Sequence, residues 1–243
     1  MRIFFIFLTF FITVDAKYIE SHYKVTYGMF GSIAKAKMVL ESDEKKYRMI
    51  VEAEAIRLAK TLSGGRKEYY ESSGHVKDGI FYTDRYTVVK EREGKKITKR
   101  YEVNDGNITL KKFTEENGDV EVSEEGLDYL AYFDLLSMYA NTKERINSED
   151  TNHWSIKTIG AKSEDKKVSI TRLVGKAMKK TKKELRMNAD HYLLVNIHQK
   201  IFASKEGKLK VAMDKDGVAQ KAVLKDVIFF GDITGTLTRK IIK

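Results

Sequence analysis

The residues best placed to do chemistry lie near the C-terminus, in "VIFFGDITGTLTRK", where Asp232 stands as the nucleophile does in the D-x-D-G-T loop of haloacid-dehalogenase-type phosphatases. That chemistry needs a second Asp two residues on to protonate the leaving group. Thr234 occupies the position instead. The loop also belongs at the end of the first parallel strand, with phosphate and magnesium motifs downstream, whereas 11 residues follow Asp232. Alternation continues through Ile233, Gly235, Leu237 and Arg239, so Gly231 and Asp232 are read as a structural bend or bulge within the last strands.

Other reactive residue types are sparse. The histidines at 22, 75, 153, 191 and 198 show no short metal-binding spacing, and His191 and His198, seven apart on a strand, would face opposite ways. No metal site is expected. With no Cys there is neither disulfide nor thiolate chemistry. Ser63-Gly64-Gly65-Arg66 lacks the following Lys-Ser/Thr of a phosphate cradle and reads as a turn. No catalytic constellation and no cofactor emerge, and the chain is expected not to be an enzyme.

The elements that would carry these residues begin after residue 16. "MRIFFIFLTFFITVDA" has one cation, an apolar run of 12 residues and small residues before Lys17, the pattern of a cleaved secretory signal peptide. A spanning helix needs about 20 apolar residues. The expectation is cleavage after Ala16, no transmembrane span in the mature chain, and a periplasmic location. The net charge of +10 lies mostly in Lys. For an exported protein that charge points to an anionic envelope surface rather than to nucleic acid, or only to a solubilising exterior.

Alternation at period two dominates the rest, as in "KKITKRYEV" and "KLKVAMD". Similar runs cover 19–27, 31–41, 46–60, 67–77, 80–93, 108–114, 167–174, 176–187, 191–202 and 218–239. Glu93-Gly94, Asn104-Asp105-Gly106, Asn117-Gly118 and Asp216-Gly217 supply hairpin turn chemistry between them. The Lys-rich "GKAMKKTKKELR" is read as a solvated edge strand. One segment, 127–141, places apolar residues at spacings of three and four and predicts a helix, and "NTKERINSEDTNHW" after it reads as a loop. The expected fold is mainly β: an antiparallel, strongly curved meander or partly closed barrel or clam, one domain from 17 to 243. Its two β halves, about 17–126 and 153–243, are joined by that helix.

"HYKVTYGMFGSIAKAKMVL", "YFDLLSMYAN", "VAMDKDGVAQKAVLKDV" and "IFFGDITGTL" together resemble the domain of unknown function 3108 (DUF3108) family of exported bacterial proteins. The resemblance covers nearly the whole mature chain, and Asp134 and Ser137 match the family's central Asp-x-x-Ser helix. It implies a partly closed β-barrel or clam similar to carriers of lipids or lipoproteins, and no activity. Non-catalytic binding of an apolar or lipid-like ligand is the expected function, with Tyr132, Phe133, Leu136 and Tyr139 as the residues that would line its cavity. The alternative is an envelope assembly or scaffold protein that binds another protein through a sheet edge. An outer-membrane barrel is disfavoured, because the Lys- and Glu-rich strand faces would meet lipid at about 2–4 kcal/mol for each Lys near the midplane.

Overall fold

A computed structural model describes residues 16–148, 151–161, 163–196, 207–227 and 231–243; the expected signal peptide up to Asp15, and His198, lie outside the described residues. The first half comprises β1 (Lys17–Tyr27), β2 (Ser32–Ser42), β3 (Lys46–Ala55), a short helix α1 (Arg57–Leu62), β4 (Lys67–Lys77), β5 (Ile80–Arg92), β6 (Lys95–Asn104), β7 (Asn107–Glu116) and β8 (Asp119–Gly126). A two-residue strand β9 (Phe133–Asp134) then leads into α2 (Leu135–Ala140) and α3 (Thr142–Ser148). The second half contains β10 (His153–Ile159), β11 (Lys167–Arg172), helix α4 (Gly175–Leu185), β12 (His191–Asn196), β13 (Lys208–Met213), β14 (Ala219–Val227) and β15 (Gly231–Ile242).

All the strands belong to one strongly curved, unclosed sheet in the order β8-β7-β6-β5-β4-β3-β2-β1-β15-β14-β13-β12-β11-β10-β9. Each half is a meander, and β1 pairs with β15 from Ile19↔Ile242 to Tyr27↔Ile233. The N-terminal and C-terminal strands therefore lie side by side at the middle of the sheet, and the chain's midpoint joins its two far edges. Two-residue turns close the first meander at Asp78-Gly79, Glu93-Gly94, Asp105-Gly106 and Asn117-Gly118, each with positive φ at both positions, the backbone that matches strand twist in a hairpin.

The crossover from β8 to β10 runs over the concave face and packs against both halves of it. Leu127 N–H donates to Ile108 C=O, Ala131 N–H to Gly106 C=O, and Thr83 N–H to Tyr132 C=O, so β7, the β6–β7 turn and β5 hold the crossover by its backbone. Apolar clusters from both halves then meet on α2. Met138 belongs to the cluster of Trp154, Ile170, Leu193 and Met213, while Leu136 packs against both the Leu40–Met49–Phe81 cluster and the Tyr86–Tyr101–Ile108 cluster.

Four local expectations are corrected. The central helix is shorter and later than 127–141, because 127–132 is irregular, with bends at Asp128, Tyr129 and Tyr132. There Leu127, Tyr129 and Ala131 pack inward while Leu130 and Tyr132 stay 53% and 49% exposed, a period of two. The helix continues instead through α3, bent at Asn141, where a loop was expected. The run 176–187 is not an edge strand but α4, since Met178, Thr181 and Leu185 lie on one helical face and pack on Tyr192, Ala212 and Val223 of the convex surface. The expected strand 46–60 ends at Ala55, and α1 follows.

Candidate functional site

The polar centre of the crossover is Asp134. Its backbone enters α2 in an extended conformation, and its Oδ1 accepts hydrogen bonds from Leu136 N at 2.6 Å and Ser137 N at 3.2 Å. Ser137 Oγ accepts in return from Asp134 N at 2.9 Å, which completes a capping box and starts the helix at residue 135 rather than earlier. The other carboxylate oxygen accepts from Ser72 Oγ and, at 2.8 Å, from Thr83 Oγ1. Ser72 has one proton and directs it at Asp134, so Tyr47 Oη donates the 2.7 Å hydrogen bond to Ser72 Oγ.

This network ties β3, β4, β5 and α2 together. Burial pushes the Asp134 carboxyl above its ordinary value, opposed by the four donors around it. Asp134, Ser72 and Ser137 are all inaccessible to solvent, so no substrate reaches the carboxylate. Its chemistry is internal hydrogen bonding. Asn141, about two turns on from Asp134, holds the far end of α2 against β5 through the backbone of Phe81.

A cleft of about 710 Å³ opens beside that far end. Ile19, Met38, Leu40, Met49 and Phe81 form its apolar walls, with Tyr139 and Ala140 of α2 on one side. Its rim carries Lys17, Lys143, Glu144 and Asp216. Burial lowers the affinity of Lys17 for its proton, and the neighbouring Lys143 charge lowers it further. Tyr139 exposes part of its ring to the cleft, while its hydroxyl lies deep and accepts a 2.9 Å hydrogen bond from Ala219 N of β14. That burial raises the phenol well above its ordinary range.

The four residues expected to line a cavity are thus dispersed. Tyr139 reaches the cleft. Leu136 lies in the core between two apolar clusters. Phe133 packs between the Tyr82 ring, 5.4 Å between centroids, and the Arg145 guanidinium. Tyr132 lies against Gly106 at the mouth of the β6–β7 turn. The cleft walls from β1, β2 and β3 are apolar positions of ordinary alternating strands, and nothing in the sequence distinguishes them from core. Gly231, with φ +97°, starts β15 and pairs with Val227 just past a register irregularity after Leu224. Asp232 follows it in a strand antiparallel to both neighbours, not at the end of a parallel strand. Among the described residues no group of three His, Asp or Glu side chains could hold a metal ion, and no helix is long and apolar enough to cross a membrane.

No family model matches the chain, and no curated protein matches it. Among solved structures it is similar to the beta-barrel-like protein of domain of unknown function DUF1849 from Brucella abortus, with a TM-score of 0.50 at 11% sequence identity, over 95% of this chain and 98% of that one. The likeness extends along the whole sheet and defines the class: a barrel-like β protein with an open, strongly curved sheet.

Proposed function

We propose that the protein is an exported, non-catalytic binding protein of the bacterial envelope, of the DUF3108 type, which takes an apolar or acyl-chain ligand into the cleft beside Tyr139. The cleft carries this reading: it has the volume of a small-molecule site, and its floor is apolar while its rim is charged. An acyl chain would lie along Met38, Leu40 and Phe81, with its head group among the rim charges. The signal-peptide pattern of residues 1–16 supports a periplasmic location, tested by the intact mass of the fractionated protein; a soluble mass beginning at Lys17 is expected, and retention of Met1–Ala16 in the membrane pellet counts against it.

Native mass spectrometry and lipid extraction of protein purified from its own envelope test the ligand reading, together with titration by a fluorescent long-chain fatty acid. An acyl compound in the native protein and saturable probe binding are expected. A ligand-free native protein that also fails to bind the probe would overturn the reading.

One observation favours the alternative role of a scaffold. All of β8 is exposed, its outer edge has no neighbouring strand among the described residues, and Val120 and Val122 are 61% and 62% exposed. Such an edge can accept a strand from another protein. Crosslinking at Val122 in the native envelope that captures one defined partner, and loses it in Val120→Lys/Val122→Lys, is the result this role requires.

A further inference from the structure

The excess positive charge is confined to one half of the molecule. Residues 1–150 contain 24 Lys and Arg against 26 Asp and Glu, a net of −2, whereas 151–243 contain 21 against 9, a net of +12. Helix α4 concentrates that excess on the convex surface. Met178, Thr181 and Leu185 point into the sheet, which leaves Lys176, Lys179, Lys180 and Lys183, at spacings of three, four and seven, as a stripe along the opposite face. Lys182 and Arg186 flank it, and all six cations are exposed.

None of the six makes an ion pair among the described residues. The one acid of α4, Glu184, turns down to Lys210 and Lys225 on β13 and β14 and neutralises them instead of the stripe. Lys221 Nζ donates to Leu185 C=O at 2.8 Å and fastens the end of the helix to the sheet. The stripe is thus a fixed, uncompensated row of ammonium groups on a helix whose apolar face is already committed.

We propose that this face of α4 docks the protein on an anionic lipid bilayer. Five of the six cations are Lys. An ammonium is a point charge suited to a diffuse field, while fixed phosphate or base geometry favours the planar fork of Arg. The buried apolar face cannot insert, so the attraction is electrostatic, acts within a Debye length of about 8 Å at physiological salt, and weakens as salt rises. The inference draws on the export reading only for where the bilayer is met and is independent of whether the cleft holds a ligand.

Co-sedimentation of the purified mature protein with vesicles tests it. Binding to phosphatidylglycerol–phosphatidylcholine vesicles, no binding to pure phosphatidylcholine and release by salt are expected. The variant Lys176→Gln/Lys179→Gln/Lys180→Gln/Lys183→Gln should bind at least about tenfold more weakly with an unchanged melting temperature, and replacement of the same four by Arg should retain binding. Equal binding to both vesicle types, salt-insensitive binding, or full binding by the Gln variant overturns the proposal. So does a protein that binds heparin or DNA but not anionic vesicles. If the Gln variant fails to fold, the Arg variant and the salt series decide. Failure here leaves the ligand titration unaffected, and failure of that titration leaves this result standing.

Discussion

The side-chain amide of Asn141 closes a ring of two hydrogen bonds with the backbone of Phe81: Oδ1 accepts from Phe81 N at 2.9 Å and Nδ2 donates to Phe81 O at 2.9 Å. Asn141 sits at the bend between α2 and α3 and is 1% exposed. It supplies to β5 the pair of bonds that a neighbouring strand would otherwise make. Asn141→Leu fills similar space but leaves both Phe81 groups unpaired in the core, at about 1–3 kcal/mol each. Urea unfolding should show a loss of about 2–4 kcal/mol; a loss below about 1 kcal/mol would mean that water replaces the amide.

Asp134 should give the protein an unusual response to acid. Its carboxyl is raised by burial, so the folded state holds the proton to higher pH than the unfolded chain does. Its contribution to stability is therefore greatest below the ordinary value of 3.8 and declines as pH rises toward the raised folded value. Asn at this position still caps a helix and has no charge to bury. The stability difference between Asp134→Asn and the native protein, in which other carboxylates cancel, should move in favour of Asn as pH rises through that window and then level off. A difference that stays constant from pH 3 to pH 8 would contradict a raised carboxyl.

Gly74 marks a place where two strands come unusually close. The register of β4 on β5 shifts between Ser73 and Gly74, and a Cβ at Gly74 would lie 1.9 Å from Tyr82 O and 2.8 Å from Asp84 N. Both are backbone atoms, so no side chain can move aside. Gly74→Ala should cost about 3 kcal/mol or more, read as a fall in melting temperature, through displacement of the strand pair. A neutral result would mean that the shift relaxes without strain.

Much of the sheet was legible in the sequence because its strands alternate and several of their turns carry Asp, Asn or Glu before Gly, a local signal that needs no tertiary partner. The closure of β1 on β15 was not, since pairing across the whole chain leaves no local trace in either strand. The crossover misled for a different reason. In 127–132, Leu127, Leu130 and the tyrosines fit a helix by spacing, but backbone bonds to Ile108, Gly106 and Thr83 hold the segment in an irregular, non-helical course, and Asp134 sets the helix start downstream. The signal for that start was present as Asp-x-x-Ser, the residues of a capping box. In α4 the lysines obscured a helical face of only Met178, Thr181 and Leu185. The cleft had no signal at all, because most of its apolar walls, Ile19, Leu40, Met49 and Phe81, are themselves buried core positions.

Leu136 and Met38 both pack against the Leu40–Met49–Phe81 cluster, but of the two Met38 lines the cleft, so their response to added volume tells one setting from the other. Leu136 lies between two apolar clusters and touches both, with α2 fixed at one end by the Asp134 cap and at the other by Asn141. Neither end can yield to a larger side chain, so Leu136→Trp should cost about 1–3 kcal/mol through overpacking. Met38 on β2 packs against the Leu40–Met49–Phe81 cluster and also lines the cleft, so a larger side chain there can be taken up on the cleft side. Met38→Trp should therefore fold with a stability within about 1 kcal/mol of the native protein, while it occupies the space of an acyl chain and abolishes uptake of the fluorescent fatty acid. Denaturant titration and the probe assay on the same two variants read both effects. A stable Leu136→Trp would move the cavity under α2, and a Met38→Trp that folds yet binds the probe as tightly as the native protein would exclude the cleft as the ligand site.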